Sequence, residues 1–198
     1  MAHAGLVNVF LDSASGVGFS QSYGAAYQGS MQWSYTSGST ATITVQLTNT
    51  SSVTAYLAAF VVGMANPSFV VTQTAAPTAF NQLTGNGLKA TPFGDYDWGS
   101  ASTSSFNGGG TGNTGLAQGQ SGTWTFSVSG VAASLAAVNS AAVFNGANQW
   151  DFVAHIKGMS VGPGSEKLTS TLMGTAMPSP AALSVLVLAG MASRRRRA

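Results

Sequence analysis

Thr42-Ile43-Thr44-Val45-Gln46-Leu47-Thr48 alternates polar and apolar residues without a fault. Successive side chains of a strand point to opposite faces, so Ile43, Val45 and Leu47 form one row for burial while the threonines and Gln46 stay wet. Asn49-Thr50-Ser51-Ser52 follows with turn chemistry. Further along, Thr123-Trp124-Thr125-Phe126-Ser127-Val128-Ser129 repeats the pattern and assigns Trp124, Phe126 and Val128 to the core. Another row is Trp150, Phe152, Ala154 and Ile156, with Asp151, Val153, His155 and Lys157 turned outward as a mostly polar face. Between these lies 55–62, a longer apolar stretch with aromatic and β-branched members, as expected of a central strand. Shorter strand-like pieces occur at 6–11, 69–71 and 167–172.

Clean alternation favours antiparallel sheets with one solvated face, and several short strands set apart by glycine-rich turns favour a sandwich. The expected fold is therefore all-β: a single antiparallel β-sandwich over 5–172. One short helix is expected at 134–144, where Leu135, Val138, Ala142 and Val143 recur at helical spacing and Ser134 is placed to cap the N-terminus. Residues 99–122, with Gly108-Gly109-Gly110 among serines, threonines and asparagines, read as one long surface loop. That loop has no GxxxxGK[ST] lysine, so it is no phosphate cradle.

Composition narrows the chemistry. Only 6% of the 198 residues are charged, against roughly a quarter in ordinary soluble domains. Four of the seven basic residues are the terminal Arg194, Arg195, Arg196 and Arg197. Without them three basic residues stand against five acidic ones, a balance of −2. The basic pI of about 9.2 thus belongs to a tail, and no basic face for nucleic acid is expected. Few titratable groups remain for hydrolytic or phosphoryl-transfer chemistry, so no enzymatic activity and no cofactor are expected. Hydrophobic residues at 44% suffice for a core, and the absence of cysteine excludes disulfides and thiolate metal sites.

The C-terminus has three parts in order. Pro178-Ser179-Pro180 comes first, then an uncharged, mostly apolar run of 13 residues over 181–193, then the four arginines. As a helix the run would be about 20 Å long, short of a ~30 Å hydrocarbon core, but earlier residues and snorkelling arginines would extend it. Arginines directly after such a helix are held on the cytoplasmic side, which puts the folded part outside. This layout over 173–198 resembles the PEP-CTERM sorting signal, with Pro178 and Pro180 matching its two prolines and Ser179 in place of the usual Glu. The resemblance implies export, a transient inner-membrane anchor with the arginines as stop-transfer charge, and processing by an exosortase-type transpeptidase. It further implies a final location at the cell surface or in an extracellular polysaccharide matrix. Stretches of the middle, among them Asp97-Trp98-Gly99 and Phe152-Val153-Ala154-His155, resemble domains carried by such proteins, which implies a secreted domain without known chemistry. At the other end, Ala2-His3-Ala4 has the form of a signal-peptide cleavage site, so residues 1–4 are read as the remnant of a leader.

A few constellations merit a structural test. Trp33 and Trp98 lie outside the clean alternations and are the candidates for stacking against sugar rings, in a carbohydrate-binding alternative to the sorting reading. Asp95 and Asp97 form a sparse calcium candidate, lacking further oxygen ligands nearby. His155 has Asp151 and Lys157 within reach along its strand, but no GxSxG elbow accompanies it. Asn49-Thr50-Ser51 fits a glycosylation sequon, read as coincidence in a bacterial-looking protein.

Overall fold

A computed structural model describes residues 5–12, 23–35, 37–64, 68–107, 113–136, 152–162, 164–170 and 173–175. Among them run the strands β1 (Gly5–Asp12), β2 (Tyr27–Tyr35), β3 (Thr40–Asn49), β4 (Tyr56–Val62), β5 (Val70–Ala75) and β6 (Asn81–Gln82). After these come β7 (Trp98–Ala101), β8 (Leu116–Ala117), β9 (Ser121–Ser129), β10 (Phe152–Lys157), β11 (Ser165–Ser170) and β12 (Met173–Thr175). They form two sheets. The first has the order β12-β1-β2-β3-β9-β5, and the second the order β11-β10-β4-β7-β6, with β8 also pairing to β4. Neighbours are antiparallel throughout.

The alternating sequences make the first sheet amphipathic. Ile43, Val45 and Leu47 of β3 and Trp124, Phe126 and Val128 of β9 are all buried, and the two strands pair with Val45 opposite Trp124. Strand β2 adds Tyr27, Met31, Trp33 and Tyr35 to the same face. The second sheet meets them with Leu57, Phe60 and Val62 of β4 and Phe152, Ala154 and Ile156 of β10, in one shared apolar cluster. Phe60 is its aromatic hub. Its ring packs edge-on to Trp124 at 5.1 Å and stacks on Phe152 at 5.6 Å, while Trp98 meets Phe126 at 4.6 Å. Burying each large apolar side chain stabilises the fold by roughly 1.5–3 kcal/mol, and offset or edge-on ring pairs add about 0.5–1.5 kcal/mol. The two sheets thus pack face to face in a β-sandwich-like arrangement.

A second, smaller apolar cluster lies on the other face of the second sheet. There Ala59, Val61 and Val153 are covered by Leu83, Ala90, Tyr96 and Phe106. The covering segment is tied down by Phe106 N–H donating to the Gly87 carbonyl at 2.9 Å and Asn107 Nδ2 donating to the Lys89 carbonyl at 2.8 Å. Strand β4 is therefore buried on both faces, which its continuous apolar sequence requires.

Four expectations are corrected here. Residues 99–122 are not one surface loop: β7 and β8 and the fully buried Phe106 lie within it, and β9 starts at Ser121. The face of β10 expected to be polar is buried, because the covering segment lies on it. The helix α1 (Ala132–Ala136) begins before Ser134, so Ser134 is inside it and does not cap it. Leu135 of α1 does reach the shared core, and 137–144 lie outside the described residues. Finally, the first sheet continues past the boundary expected at 172, since β12 pairs with β1.

Candidate functional sites

Trp33 and Trp98 are 0% and 1% exposed. The first packs against Phe69 at 5.8 Å and the second against Phe60 and Phe126. A ring enclosed on both faces cannot stack on a sugar, so the expectation of glycan stacking at these two residues is overturned. They are structural members of the core.

Asp95 and Asp97 are both exposed, in the turn that leads into β7. Asp97 Oδ2 accepts the Met64 backbone N–H at 2.6 Å, pinning that turn to the end of β4. Among the described residues no group of three or more His, Asp or Glu side chains gathers in a way that could hold a metal. A pair of carboxylates alone gives calcium too few of the six to eight oxygens it takes. Asn49 is also fully buried, with Nδ2 donating to the Ala55 and Leu116 carbonyls, so the sequon is closed to modification in the folded chain.

His155 is only 5% exposed and lies beneath Phe106, ring to ring at 5.3 Å. Its Nδ1 is 2.7 Å from the Phe106 carbonyl oxygen. A carbonyl only accepts, so Nδ1 carries the proton and Nε2 is left as an acceptor. Burial above all, helped by the charges of Lys157 and Lys167, lowers the imidazole pKa to about 4 against the opposing effect of the Phe106 hydrogen bond. Lys167 is the cross-strand partner of His155; its Nζ donates to the Thr91 carbonyl and lies 5.9 Å from the centre of the Phe106 ring. Burial also holds the ammonium groups of Lys157 and Lys167 below the ordinary lysine range, with Lys157 acting on Lys167 as a like charge. The arrangement locks the covering segment to β10 and β11 through a neutral imidazole. Asp151, placed within reach of His155 by the sequence, lies outside the described residues.

Sequence reasoning passed over the outer face of the first sheet. Strand β3 places Thr42, Thr44, Gln46 and Thr48 there, between the buried residues of its alternation. Strand β9 contributes Ser121, Thr123, Thr125 and Ser127, and β2 contributes Gln28, Ser30, Gln32 and Ser34. Register brings them into rows: Gln46 lies between Ser30 and Thr123, and Thr44 between Gln32 and Thr125. Thr48 and Ser121 share a hydrogen bond of 2.7 Å between their hydroxyls. None of these twelve positions carries a charge. A shallow concavity of about 420 Å³ opens on this face, lined among others by Ser30, Gln46, Thr48, Ser121 and Thr123. Gly29 also lines it; a Cβ there would lie 2.0 Å from the Gln46 carbonyl oxygen, so only glycine lets β2 and β3 approach at this point.

Fold and surface together define a charge-poor, all-β protein of two packed antiparallel sheets. Compared with family models, curated proteins and solved structures, the chain matches none. The sorting-motif residues Pro178, Ser179 and Pro180, the apolar run after them, the four arginines and residues 1–4 all lie outside the described residues. Among the described residues no helix is long and apolar enough to cross a membrane.

Proposed function

We propose that this is a non-enzymatic exported protein whose β domain is delivered to the cell surface or the extracellular matrix by its C-terminal sorting signal. The observation that carries the reading is the ordered triplet of Pro178-Ser179-Pro180, the apolar run over 181–193 and Arg194 to Arg197 at the terminus. The apolar run enters the inner membrane, and the arginines stop it there. Moving a charge to the bilayer centre costs roughly 2.5–3.5 kcal/mol on insertion scales, and four adjacent ones multiply the barrier. An exosortase-type transpeptidase then cuts near the two prolines and frees the domain.

Ser179 favours a second reading. The usual Glu of the motif is missing, and a signal that is recognised poorly leaves the protein permanently tail-anchored in the envelope.

Expression in a host with and without an exosortase, followed by mass measurement of the mature C-terminus, separates these. Loss of the residues after the motif only in the exosortase host is the expected result. An identical mass ending at Ala198 in both hosts overturns processing, and retention in the membrane fraction then selects the anchored form.

A further inference from the structure

We propose that the outer face of the first sheet docks a neutral, hydroxyl-rich polysaccharide, seated where Ser30, Gln46 and Thr123 line up across β2, β3 and β9. The inference deepens the matrix reading above by naming the partner and its site, and it replaces the tryptophan site that the structure overturned. The face is a grid of three strands by four rows. At ordinary strand spacing it measures about 10 Å across and about 20 Å along. Every side chain of the grid is a hydroxyl or a carboxamide, able both to donate and to accept hydrogen bonds, as sugar hydroxyls do.

Charge selects among ligands. With no cation at the twelve positions, phosphate-bearing or uronic-acid polymers find no counter-charge; Asp12 of β1, in register with Gln28 at one corner, is the one acidic residue flanking the grid on β1 and adds repulsion to such anions. A neutral polyol loses nothing by that lack. A concavity of about 420 Å³ falls in the range of small-ligand sites and holds part of a chain while the flanking rows meet its neighbours. None of the twelve positions carries an aromatic ring, so each contact there is weak and water competes for it. Binding then depends on repeated contacts along one polymer, and single sugars bind poorly.

The test uses the full chain against immobilised dextran, galactomannan and hydroxyethylcellulose, with alginate as the anionic control, each at low and high salt. Retention on at least one neutral polymer, unchanged by salt, is expected. The double variant Gln46→Ala with Thr123→Ala removes the middle row and weakens it about tenfold, the equivalent of two modest hydrogen bonds. A second pair, Thr44→Val with Thr125→Val, keeps β-branched shape and strand preference while removing two hydroxyls, and it weakens retention in the same direction with an unchanged melting temperature. No retention on any neutral polymer, retention unaffected by both pairs, or retention confined to alginate and lost in salt overturns the proposal. Because C-terminal mass reads processing and polymer retention reads the face, either idea can fail while the other stands.

Discussion

Gln82 closes the open edge of the first sheet by gripping the backbone around Gln73. Its Oε1 accepts the Gln73 backbone N–H at 2.7 Å, and its Nε2 donates to the Val71 carbonyl at 2.7 Å. In return Gln73 Nε2 donates to the Phe80 carbonyl at 3.3 Å. Strand β5 is the edge of the first sheet, and Gln82 belongs to β6, the edge of the second. One carboxamide thus imitates a further strand and joins the two sheets along their shared flank. Edges left with free N–H and C=O groups invite pairing between molecules.

Gln82→Ala should therefore cost about 1–2 kcal/mol and raise self-association. Urea denaturation and light scattering would measure both. A variant as stable and as monodisperse as the parent would show that the bonds do not guard the edge.

A stronger effect is expected at Asn49. This fully buried side chain donates to the Ala55 and Leu116 carbonyls, both at 2.9 Å, and accepts the Ser51 N–H at 3.2 Å. It sits where the chain leaves β3 for the second sheet. Asn49→Asp turns the donor into a second acceptor facing two carbonyl oxygens, which should cost about 2–4 kcal/mol. A measured loss below about 1 kcal/mol would mean that the junction relaxes around the change.

The aromatic core offers a direct check on where the tryptophans work. Trp98→Ala and Phe60→Ala should each destabilise by about 3–5 kcal/mol, because each removes a large ring from a packed interior. Near-UV circular dichroism should lose intensity in both, since the Phe60 and Trp98 rings meet edge-on at 6.3 Å. If Trp98→Ala left the melting temperature unchanged, the ring could not be holding the sheets together.

How far these features could be read from sequence depends on what each position answers to. Strands β3 and β9 answer to local alternation, and their faces were assigned correctly residue by residue. The central place of β4 also followed from its unbroken apolar run. Strand β2 was legible but overlooked: Met31-Gln32-Trp33-Ser34-Tyr35 alternates cleanly, and the irregularity upstream, at Gly29 and Ser30, hid it. Trp98 is different. Its short strand is buried on both faces, so no period marks it. For His155 the period misleads, because its strand alternates apolar and mostly polar residues while both faces are covered. What buries it is the irregular segment carrying Leu83, Ala90, Tyr96 and Phe106, and tertiary cover of that kind leaves no periodic trace. The polar grid was visible as a wet face, but only the register of three strands turns separate threonines into rows.

The buried imidazole gives the protein a defined acid response. Folding lowers the His155 pKa from 6.5 to about 4, so between those values the unfolded chain binds more protons than the folded one. Stability then rises with pH through that window: the neutral ring's contribution is complete above about 6.5 and is lost as the pH falls toward about 4. The full span corresponds to on the order of 3 kcal/mol. The charges of Lys157 and Lys167 oppose a third positive charge beside them. Glu166 acts with the opposite sign, because burial raises its carboxyl above the ordinary range and folding then favours its protonated form. The two effects separate by difference. His155→Gln keeps a donor for the Phe106 carbonyl but does not titrate, so stability curves of parent and variant should diverge below pH ~6.5 and level off near ~4. Parallel curves across that range would mean that the ring charges without leaving its place under Phe106, and that water reaches it there.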